Sequence, residues 1–510
     1  MTYVLAIDVG TTNLKAAVVD SSGSVKRISS YELPLERPEP GAAVHDPNRL
    51  FEVLVKASRE AVRGFEREVE AVVLSAYLFG LLPVDSKCRP LDYIMTWVDT
   101  RPAPVAEKLK AEVDMREVYE RTGCPPLFIY QLSKLIWLRQ SRPEVFRAAR
   151  YFLNSKDYVI ARLLGSPYTE RSTASATQLL NIKTLEWDSE CLSIAGVSEE
   201  KLPPLVDGDI VLDHIPRDAA RILGLERSVP LVPGVYDGAA VVVGVGGTEE
   251  GVCASNIGSS AMLRVAWPAP VVDRSPKMRF QTYYMCSGLW VPGGAVNNAG
   301  LVMRWFRDNF GLAERRYAEL VGESPYKLLD MEAERAPPGA GGLVFLPFIS
   351  GERFPHIGNY AKGVLVGLTT GHGWNHLVRA LMEGVVFNLS LIMDALKENG
   401  LSVREIRLGG GGSKSKLWPQ ILADVTGVPV KRVAVEEAAL VGSAAIAFKV
   451  LGVYSSLSEA TKEIVRIRDV MRPIEEHVEI YSELFEYFKW LVDHMVEAFA
   501  RHSMLRACQH

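Results

Sequence analysis

The sequence predicts an α/β protein of two large domains, each a β-sheet with helices packed against it. The chain has 510 residues, 48% of them apolar and 23% charged, which is ordinary globular composition in a length too great for one core. Strand-like and helix-like segments alternate along it. An internal repeat also places a similar unit at the start of each half.

The first strands are predicted to form a three-stranded antiparallel meander. Residues 3–9, residues 14–19 and a run from Val25 are apolar and β-branched, and turns rich in glycine and hydroxyl residues separate them. Two further short strands are predicted at residues 70–74 and 81–84. Helices are predicted at residues 47–67, 105–110, 131–140 and 143–149.

The repeat relates residues 254–265 to residues 6–17. Each stretch reads as a strand, a turn of glycine followed by two hydroxyl residues, and a second strand. Gly10 and Gly258 lie 248 positions apart, close to half of the chain. We therefore predict a domain boundary near residue 248, which divides the chain into residues 1–247 and 248–510. A chance match of two short Gly-Ser/Thr turns is the alternative.

Charge and composition exclude several classes of protein. The net charge is −4 and there is no basic run, so nucleic acid is not an expected partner. The N-terminus enters a strand-like run at once, without a signal peptide. The most apolar stretch, residues 238–247, is about ten residues long against roughly 18 needed to span a bilayer. We expect a cytoplasmic protein with no membrane partner.

The six cysteines are scattered along the chain and form no CxxC pair. This favours reduced thiols over a zinc site or a disulfide framework. The sequence leaves the oligomeric state open, with a homodimer as one alternative.

The turn Gly10-Thr11-Thr12 carries the first chemical signal. It presents backbone N–H groups and two hydroxyls to the bend, which suits a phosphate. Asp8, just before the turn, can hold Mg²⁺ through water, and Asn13 and Lys15 can donate to phosphates. A hairpin that uses glycine and threonine only for its conformation is the alternative, with Lys15 as a solvated strand residue.

Two other glycine-containing segments lie in the second half. The turn Gly258-Ser259-Ser260 follows Asn256, which stands where the first turn has Asp8, so the metal-binding carboxylate is expected in the first half only. Four glycines at residues 409–412 follow a strand-like run and precede a helix. Backbone without Cβ atoms permits the close approach of a flat or charged ligand, and the helix N-terminus favours anions.

Asp237 is the candidate general base. It stands between a strand-like run and the small residues that begin with Gly238. Such a carboxylate can accept the proton of an attacking hydroxyl. An Asp that caps the N-terminus of a helix is the alternative.

The ordered set of motifs resembles the FGGY carbohydrate kinases, within the actin, Hsp70 and sugar-kinase ATPase superfamily. The similarity runs from about Tyr3 to Tyr454. Besides the two turns, the glycine run and Tyr236-Asp237-Gly238, it includes Trp97-Val98-Asp99-Thr100-Arg101, Lys134-Leu135-Ile136-Trp137-Leu138, Ser155-Lys156-Asp157-Tyr158, Gly351-Glu352-Arg353, residues 363–368 and residues 379–384.

The resemblance implies two ribonuclease-H-like domains of the actin-like ATPase type, with ATP in an interdomain cleft and the acceptor mainly against the first domain. It implies transfer of phosphate from ATP, with Mg²⁺, to a hydroxyl of a small sugar or polyol of the pentulose, aldonate or alditol class. Asp237 would be the base and Asp8 the organiser of Mg²⁺, with Asp237 also near the metal.

The resemblance also assigns binding residues by position. The phosphates and the rest of the nucleotide would meet Thr11, Thr12, Gly258, Ser259, Gly410, Gly411 and Ser415. The acceptor pocket would be lined by Tyr77, Leu78, Phe79, Trp97, Asp99, Asp237 and Gly238.

One segment departs from the family pattern. Xylulose kinases show Gln-Met-His-Gly and glycerol kinases an Arg-Glu pair where this chain has Tyr77-Leu78-Phe79-Gly80. A phenylalanine side chain cannot hydrogen-bond a hydroxyl, which argues against both xylulose and glycerol as acceptors. Residues 410–425 and 436–442 look like xylulose kinases, whereas residues 293–300 look more like gluconate kinases.

Two functions outside sugar phosphorylation remain open from the sequence. An actin- or Hsp70-like ATPase that acts as a chaperone or filament subunit would share the phosphate turns, but it would lack the segments around Trp97 and Lys156. A catalytically silent sugar sensor is the second, and the presence of both Asp8 and Asp237 argues against it.

Overall fold

The structure, a computed structural model, describes residues 1–354, 357–358 and 360–505. The strands that precede residue 248 are β1 (Tyr3–Val9), β2 (Asn13–Asp20), β3 (Val25–Glu32), β4 (Val44–His45), β5 (Val69–Ala76), β6 (Leu82–Val84), β7 (Ile94–Met95), β8 (Tyr151–Leu153), β9 (Thr169–Glu170), β10 (Leu205–Val206), β11 (Asp213–His214) and β12 (Pro230–Val232). The later strands are β13 (Val252–Ile257), β14 (Ala261–Val265), β15 (Gln281–Tyr284), β16 (Trp290–Val296), β17 (Val344–Pro347), β18 (Gly363–Val366), β19 (Glu405–Gly409), β20 (Val430–Val433) and β21 (Ile467–Met471).

The helices alternate with these strands. Those that begin before residue 248 are α1 (Pro47–Ala61), α2 (Ala103–Glu112), α3 (Met115–Thr122), α4 (Gln131–Ser141), α5 (Pro143–Ala148), α6 (Ser155–Leu164), α7 (Arg171–Ala174), α8 (Ser189–Ala195), α9 (Arg217–Ile222) and α10 (Asp237–Gly244). The later helices are α11 (Gly300–Asn309), α12 (Leu312–Val321), α13 (Pro325–Glu334), α14 (Trp374–Glu398), α15 (Leu417–Thr426), α16 (Ala438–Val450), α17 (Leu457–Ile464) and α18 (Glu475–Ser503).

Two large sheets organise the molecule, one in each half. The first has six strands in the order β11-β12-β5-β1-β2-β3, and the second has seven in the order β15-β16-β14-β13-β19-β20-β21. In the first sheet β1 pairs antiparallel with β2 and parallel with β5. In the second, β13 pairs antiparallel with β14 and parallel with β19. The repeated sequence pattern therefore corresponds to a repeated arrangement of strands.

The predicted elements agree with the structure except at some ends. The meander forms as predicted, with β2 antiparallel to both β1 and β3. The helix predicted over residues 47–67 ends at Ala61, and the turn that follows includes Gly64 at a φ of 86°. A positive φ favours glycine and ends a helix, so the apolar pattern beyond Ala61 belongs to a turn.

One of the apolar clusters of the protein contains residues of both halves. It contains Val4 from β1, Ala240 from α10 and Ala444 from α16, all fully buried. A Cβ atom at Gly244 would lie 1.8 Å from the Ala438 carbonyl oxygen, so α10 and α16 pack backbone against backbone. The predicted boundary at residue 248 falls between α10 and β13, and it remains a prediction because helices from both halves fill this core.

The most apolar long segment is not the one that the sequence indicated. Helix α14 has 25 residues and a window of mean hydropathy 1.4, so it is long and apolar enough to cross a membrane by length and composition. However, 83% of that window is buried inside the protein, as in the core helix of a globular domain. The five described cysteines are free and buried, and Cys508 lies outside the described residues.

Candidate active site

Asp8 lies near the end of β1, where the first sheet meets the second half. Its Oδ1 accepts a hydrogen bond from the Ser75 hydroxyl at 2.7 Å, across the parallel β1–β5 pair. Lys15 stands directly opposite on β2. Burial raises the pKa of Asp8, the Ser75 hydrogen bond and Lys15 act to lower it, and the nearby Glu437 raises it. A carboxylate in this position favours a cation beside it.

The first turn is closed by a hydrogen bond from Gly10 N–H to the Asn13 carbonyl at 3.1 Å. A Cβ at Gly10 would lie 2.6 Å from that oxygen, so the turn needs a glycine. Thr11 Oγ1 accepts a hydrogen bond from Trp97 Nε1 at 3.1 Å, whereas Thr12 and Asn13 are exposed. The turn therefore leaves Thr12 exposed and joins Thr11 to Trp97 of the predicted acceptor pocket.

Lys15 has a partner that the sequence did not indicate. Its Nζ lies 2.7 Å from Oε2 of Glu437, and both side chains are about a third exposed. Glu437 immediately precedes α16, so this ion pair joins the phosphate turn of the first half to the second half. Lys15 is thus neither a free phosphate donor nor a simply solvated residue.

Asp237 is the first residue of α10, and Tyr236 occupies the N-cap position. The Gly238 N–H donates to Asp237 Oδ1 at 2.7 Å, and a helix-capping carboxylate would instead accept from N–H groups further into the first turn. Burial, with a further contribution from Asp8, raises the pKa of Asp237 to about 7. Arg264 and Lys156 act in the opposite direction.

A buried ion pair lies close enough to Asp8 and Asp237 for its lysine to influence the pKa of both. Lys156 Nζ lies 2.6 Å from Oε1 of Glu170, and both side chains are almost entirely buried. The Lys156 charge lowers the pKa of Asp8 and of Asp237. Asp237 therefore has a pKa of about 7 and lies beside a second carboxyl, that of Asp8. A general base that works near pH 7 needs such an environment.

The second turn lies beside a large cavity. Gly258 N–H donates to the Ser260 carbonyl at 2.8 Å, and the N–H of Gly300, at the start of α11, donates to the Gly258 carbonyl at 2.8 Å. Ser259 and Ser260 are exposed and line a cavity of about 850 Å³, together with Trp97 and Arg353. Asp8, Asp237 and Phe79 are not among the residues that line this cavity.

His45 is a residue that the sequence analysis missed. Its imidazole bridges the Tyr77 hydroxyl at 2.9 Å and the Thr11 carbonyl at 3.0 Å. Burial lowers the pKa of His45 to about 4, so the ring is neutral at pH 7. In the sequence His45 immediately precedes Asp46, the N-cap of α1. This His-Asp pair before a predicted helix was the signal that could have identified His45. His45 fixes Tyr77 and the first turn relative to each other.

Phe79 adopts a positive φ of 70°, which is uncommon for a residue with a side chain. Its ring packs edge-on against Tyr130 at 5.4 Å and Tyr283 at 6.5 Å between centroids. Lys134 Nζ donates to the Phe79 carbonyl, and neighbouring Leu78 is buried. The backbone at Phe79 is therefore held firmly while its ring faces an aromatic cluster.

Asp99 is fully buried and its carboxylate is already occupied. Oδ2 lies 2.6 Å from NH2 of Arg101 and accepts from the Ala43 N–H at 3.3 Å. Trp97, two residues earlier, lines the cavity, whereas the Asp99 carboxylate forms an ion pair with Arg101. A direct contact between Asp99 and an acceptor remains a prediction, and the structure shows a structural partner for it.

The glycine run folds over the second turn. Gly410 has a φ of 81°, and a Cβ there would lie 2.6 Å from Asn256 Oδ1, so only glycine fits. Gly411 is exposed, and a Cβ there would have no atom within 4 Å. Ser415 Oγ accepts from the Trp418 N–H at 3.0 Å at the start of α15. Gly411 faces open space, whereas Ser415 helps to begin the helix.

The acidic groups do not form a complete metal site by themselves. Within residues 1–354, 357–358 and 360–505, no group of three or more His, Cys, Asp or Glu side chains is placed to hold a metal ion. Two of the carboxylates, Asp8 and Asp237, lie near each other, because the charge of Asp8 raises the pKa of Asp237. This fits Mg²⁺, which usually keeps several waters and takes one or two carboxylates together with substrate phosphates.

Models of the two domains of one protein family match most of the chain. The model of the FGGY family of carbohydrate kinases, N-terminal domain, matches residues 3–244, and that of the C-terminal domain matches residues 253–451. The gluconokinase of Bacillus subtilis (strain 168) is 32% identical over 489 residues, 95% of this chain and 94% of the relative.

Solved structures agree in fold. The ligand-bound xylulose kinase from Lactobacillus acidophilus has a TM-score of 0.92 and 28% identity, and covers 99% of this chain and 100% of its own. The gluconate kinase from the same organism has a TM-score of 0.92 and 28% identity, with 98% and 100% coverage. These matches confirm the predicted α/β fold of two actin-like ATPase domains and the predicted carbohydrate kinase activity. The chain belongs to the FGGY family of carbohydrate kinases.

Proposed function

We propose that this kinase transfers the γ-phosphoryl group of ATP to one hydroxyl of a small sugar, sugar acid or polyol, with Asp237 as general base. The observation that carries the proposal is the carboxyl of Asp237, which burial and Asp8 bring to a pKa of about 7 at the start of α10. At that pKa a carboxylate is ionised in a useful fraction of molecules and still basic enough to accept a proton.

The proposed step is a displacement at phosphorus. The acceptor oxygen forms a bond to the γ-phosphorus, the bond from that phosphorus to the β–γ bridging oxygen breaks, and ADP leaves with the electron pair. The proton of the attacking hydroxyl moves to Asp237. Such a reaction needs little covalent chemistry from the protein, and its rate depends on positioning and on the neutralisation of charge.

Membership of the family implies ATP as the donor, and we assign the phosphate contacts to the two turns. The exposed hydroxyls of Thr12 and Ser259 and the backbone of Gly10 and Gly258 support this assignment. We place the rest of the nucleotide against Gly411, whose surroundings are open. Asp8 would hold Mg²⁺ through water, with Asp237 nearby, and the ion would supply neutralisation of phosphate charge.

Closure of the halves around the acceptor would exclude water and limit wasteful hydrolysis of ATP. We keep the division at residue 248, a cytoplasmic location and a homodimer as predictions. The phosphate contacts of Asn13 and Lys15 also remain predictions, and for Lys15 they require the ion pair with Glu437 to open.

The proposal is tested by acceptor-dependent ADP release over pentuloses, hexuloses, alditols, aldonates and inositols. At least one class should raise ADP release well above the rate with ATP alone, and an Asp237→Ala variant should give the background. ATP hydrolysis that no acceptor stimulates, but that unfolded peptide does, would contradict the proposal in favour of a chaperone-like ATPase.

A further inference from the structure

Arg264 is a buried cation without an acidic partner. It lies on β14 and only 6% of it is exposed. Its NH1 donates to the Val291 carbonyl at 2.9 Å and its NH2 to Gln281 Oε1 at 3.2 Å. In the part of the chain that the structure describes, no carboxylate lies within ion-pair distance of it. An arginine carries five N–H donors, so these two neutral partners leave most of its capacity unused.

Other buried arginines in this protein are paired with acids. Arg379, which is 5% exposed, lies 2.7 Å from Glu383, and Arg432, which is 2% exposed, pairs with Asp469. Burying a charge without a partner carries a large free-energy cost, so buried charges are normally paired or bind a ligand. Arg264 therefore differs from the buried arginines that stabilise the fold, and the missing partner is an anion.

The position of Arg264 connects it to the acceptor side of the site. Its guanidinium carbon lies 5.1 Å from the ring centroid of Tyr283. The Tyr283 ring in turn packs against Phe79 at 6.5 Å and Tyr236 at 5.9 Å. Tyr236 immediately precedes Asp237, whose pKa the Arg264 charge lowers. These contacts place a positive charge beside the ring that packs on both Phe79 and Tyr236, within electrostatic reach of the proposed base.

The side chains around Arg264 suit an acceptor that carries its own negative charge. The Phe79 side chain offers no donor to a hydroxyl, and the Tyr130 and Tyr283 hydroxyls bond to each other at 2.8 Å. A guanidinium binds a carboxylate through two parallel N–H groups, and such charged hydrogen bonds are stronger than neutral ones. A neutral sugar would leave the Arg264 charge without an anion, whereas the carboxylate of a sugar acid would pair with it.

We propose that Arg264 binds the carboxylate of the acceptor, which makes the preferred acceptor an aldonate. The inference rests on the proposed phosphoryl transfer and adds to it the residue that selects the substrate class. Arg353, whose guanidinium carbon lies 5.7 Å from the centroid of the Trp97 ring, brings a second positive charge within electrostatic reach of Arg264 and Asp237.

The test compares D-gluconate with D-glucitol, which differ in the group at one end of the same carbon chain. Arg264→Gln should lower kcat/KM for gluconate about 10- to 100-fold, the range of a lost charged hydrogen bond. Because the Arg264 charge also lowers the pKa of Asp237, kcat/KM for glucitol should change too, but by a smaller factor than for gluconate. The KM for ATP should not change. Arg264→Lys keeps the charge and should retain part of the preference for gluconate.

Gln281→Met is the matched control, because it removes a neutral partner of Arg264 and keeps the charge. It should preserve the ratio of kcat/KM for gluconate over glucitol. Calorimetric binding of both acceptors without ATP gives a second reading that does not depend on turnover. Wild type should bind gluconate more tightly than glucitol, and Arg264→Gln should lose that difference.

The possible failures are distinguishable. Equal losses for both acceptors would make Arg264 a structural residue, and a rise in the KM for ATP alone would assign its anion to the nucleotide. Wild type that binds glucitol as tightly as gluconate would overturn the inference even if Arg264→Gln does not fold. Calorimetric preference for gluconate with no phosphorylation of any acceptor would instead contradict the proposed function.

Discussion

Replacing Asp237 by Asn separates the proposed base from a merely structural carboxyl. The amide keeps the shape and one hydrogen-bonding oxygen, so the bond from the Gly238 N–H to that oxygen survives. It cannot take a proton from the acceptor hydroxyl. Loss of a general base lowers kcat by roughly 10²- to 10⁴-fold. ATP affinity should remain, because we assign its contacts to the two turns and to Gly411.

The same substitution should stabilise the folded protein, and the size of the effect follows from the pKa. Folding raises the pKa of Asp237 from 3.8 to about 7, mainly through burial. Each pKa unit corresponds to about 1.4 kcal/mol, so the ionised form is disfavoured in the folded state by at most a few kcal/mol. The side chain is partly exposed, and solvent reduces this value.

The sign of the pH dependence is fixed by the raised pKa. At a pH below 3.8 the group is protonated in both states and has no effect on the free energy of unfolding. The destabilisation grows as the pH rises to about 7 and is complete above that value. Asp237→Asn should therefore melt close to wild type near pH 4.5, and above it at pH 8.

The assay measures melting temperature from pH 4.5 to 8.5, acceptor-dependent ADP release and ATP affinity for wild type and variant. Asp99→Asn is the control, because its carboxylate lies 2.6 Å from Arg101 in a buried pair. That variant should lose stability at neutral pH, since it removes the buried one of the two acidic partners of Arg101 and leaves only the more exposed Glu39. The reasoning is refuted if Asp237→Asn keeps more than about a tenth of the wild-type kcat, or if its melting difference does not change with pH.

Three further changes test the surrounding assignments. Phe79→His should raise kcat/KM for ketopentoses relative to the best acceptor, because it restores a donor; an unchanged ratio would assign Phe79 to packing. Gly411→Val should raise the KM for ATP far more than that for the acceptor and leave the melting temperature intact, since its Cβ meets no atom within 4 Å; equal rises would place the nucleotide elsewhere. Glu437→Gln should release Lys15 from its ion pair and tighten ATP binding by up to about five-fold, which is the effect expected of a partly exposed ion pair. Weaker binding of ATP in a calorimetric titration would contradict this prediction.

Short-range patterns were sufficient for the elements that carry the chemistry. The apolar, β-branched runs at residues 3–9 and 14–19 and the Gly-Thr turn between them indicate a hairpin, and the structure has that hairpin with Asp8 opposite Lys15. The same pattern at Gly258 identified the repeated unit of the second half. Local backbone preferences determine both, so a single sequence is enough to predict them.

Partners far apart in sequence could not be predicted in this way. Lys15 and Glu437 are 422 positions apart, and no local pattern relates them. Arg264 reads from sequence as one polar residue in an apolar strand, and its missing carboxylate is visible only once its neighbours are in place. Asp99, which the family resemblance assigned to the acceptor pocket, has a partner that the sequence did not indicate, because its carboxylate pairs with Arg101. Its contact with an acceptor stays a prediction.

The packing of α10 on α16 brings together charges that belong to different halves. The backbone contact at Gly244 fixes the start of α16 relative to α10, and with them Glu437 relative to Asp237. Asp8 responds electrostatically to Glu437 as well as to Lys15, so two acids lie near one partly exposed lysine at the phosphate turn. A local excess of negative charge repels bare phosphates and attracts a divalent cation. We therefore expect ATP to enter as its Mg²⁺ complex, and we expect the proposed contact of Lys15 with the phosphates to form only when that complex competes with Glu437.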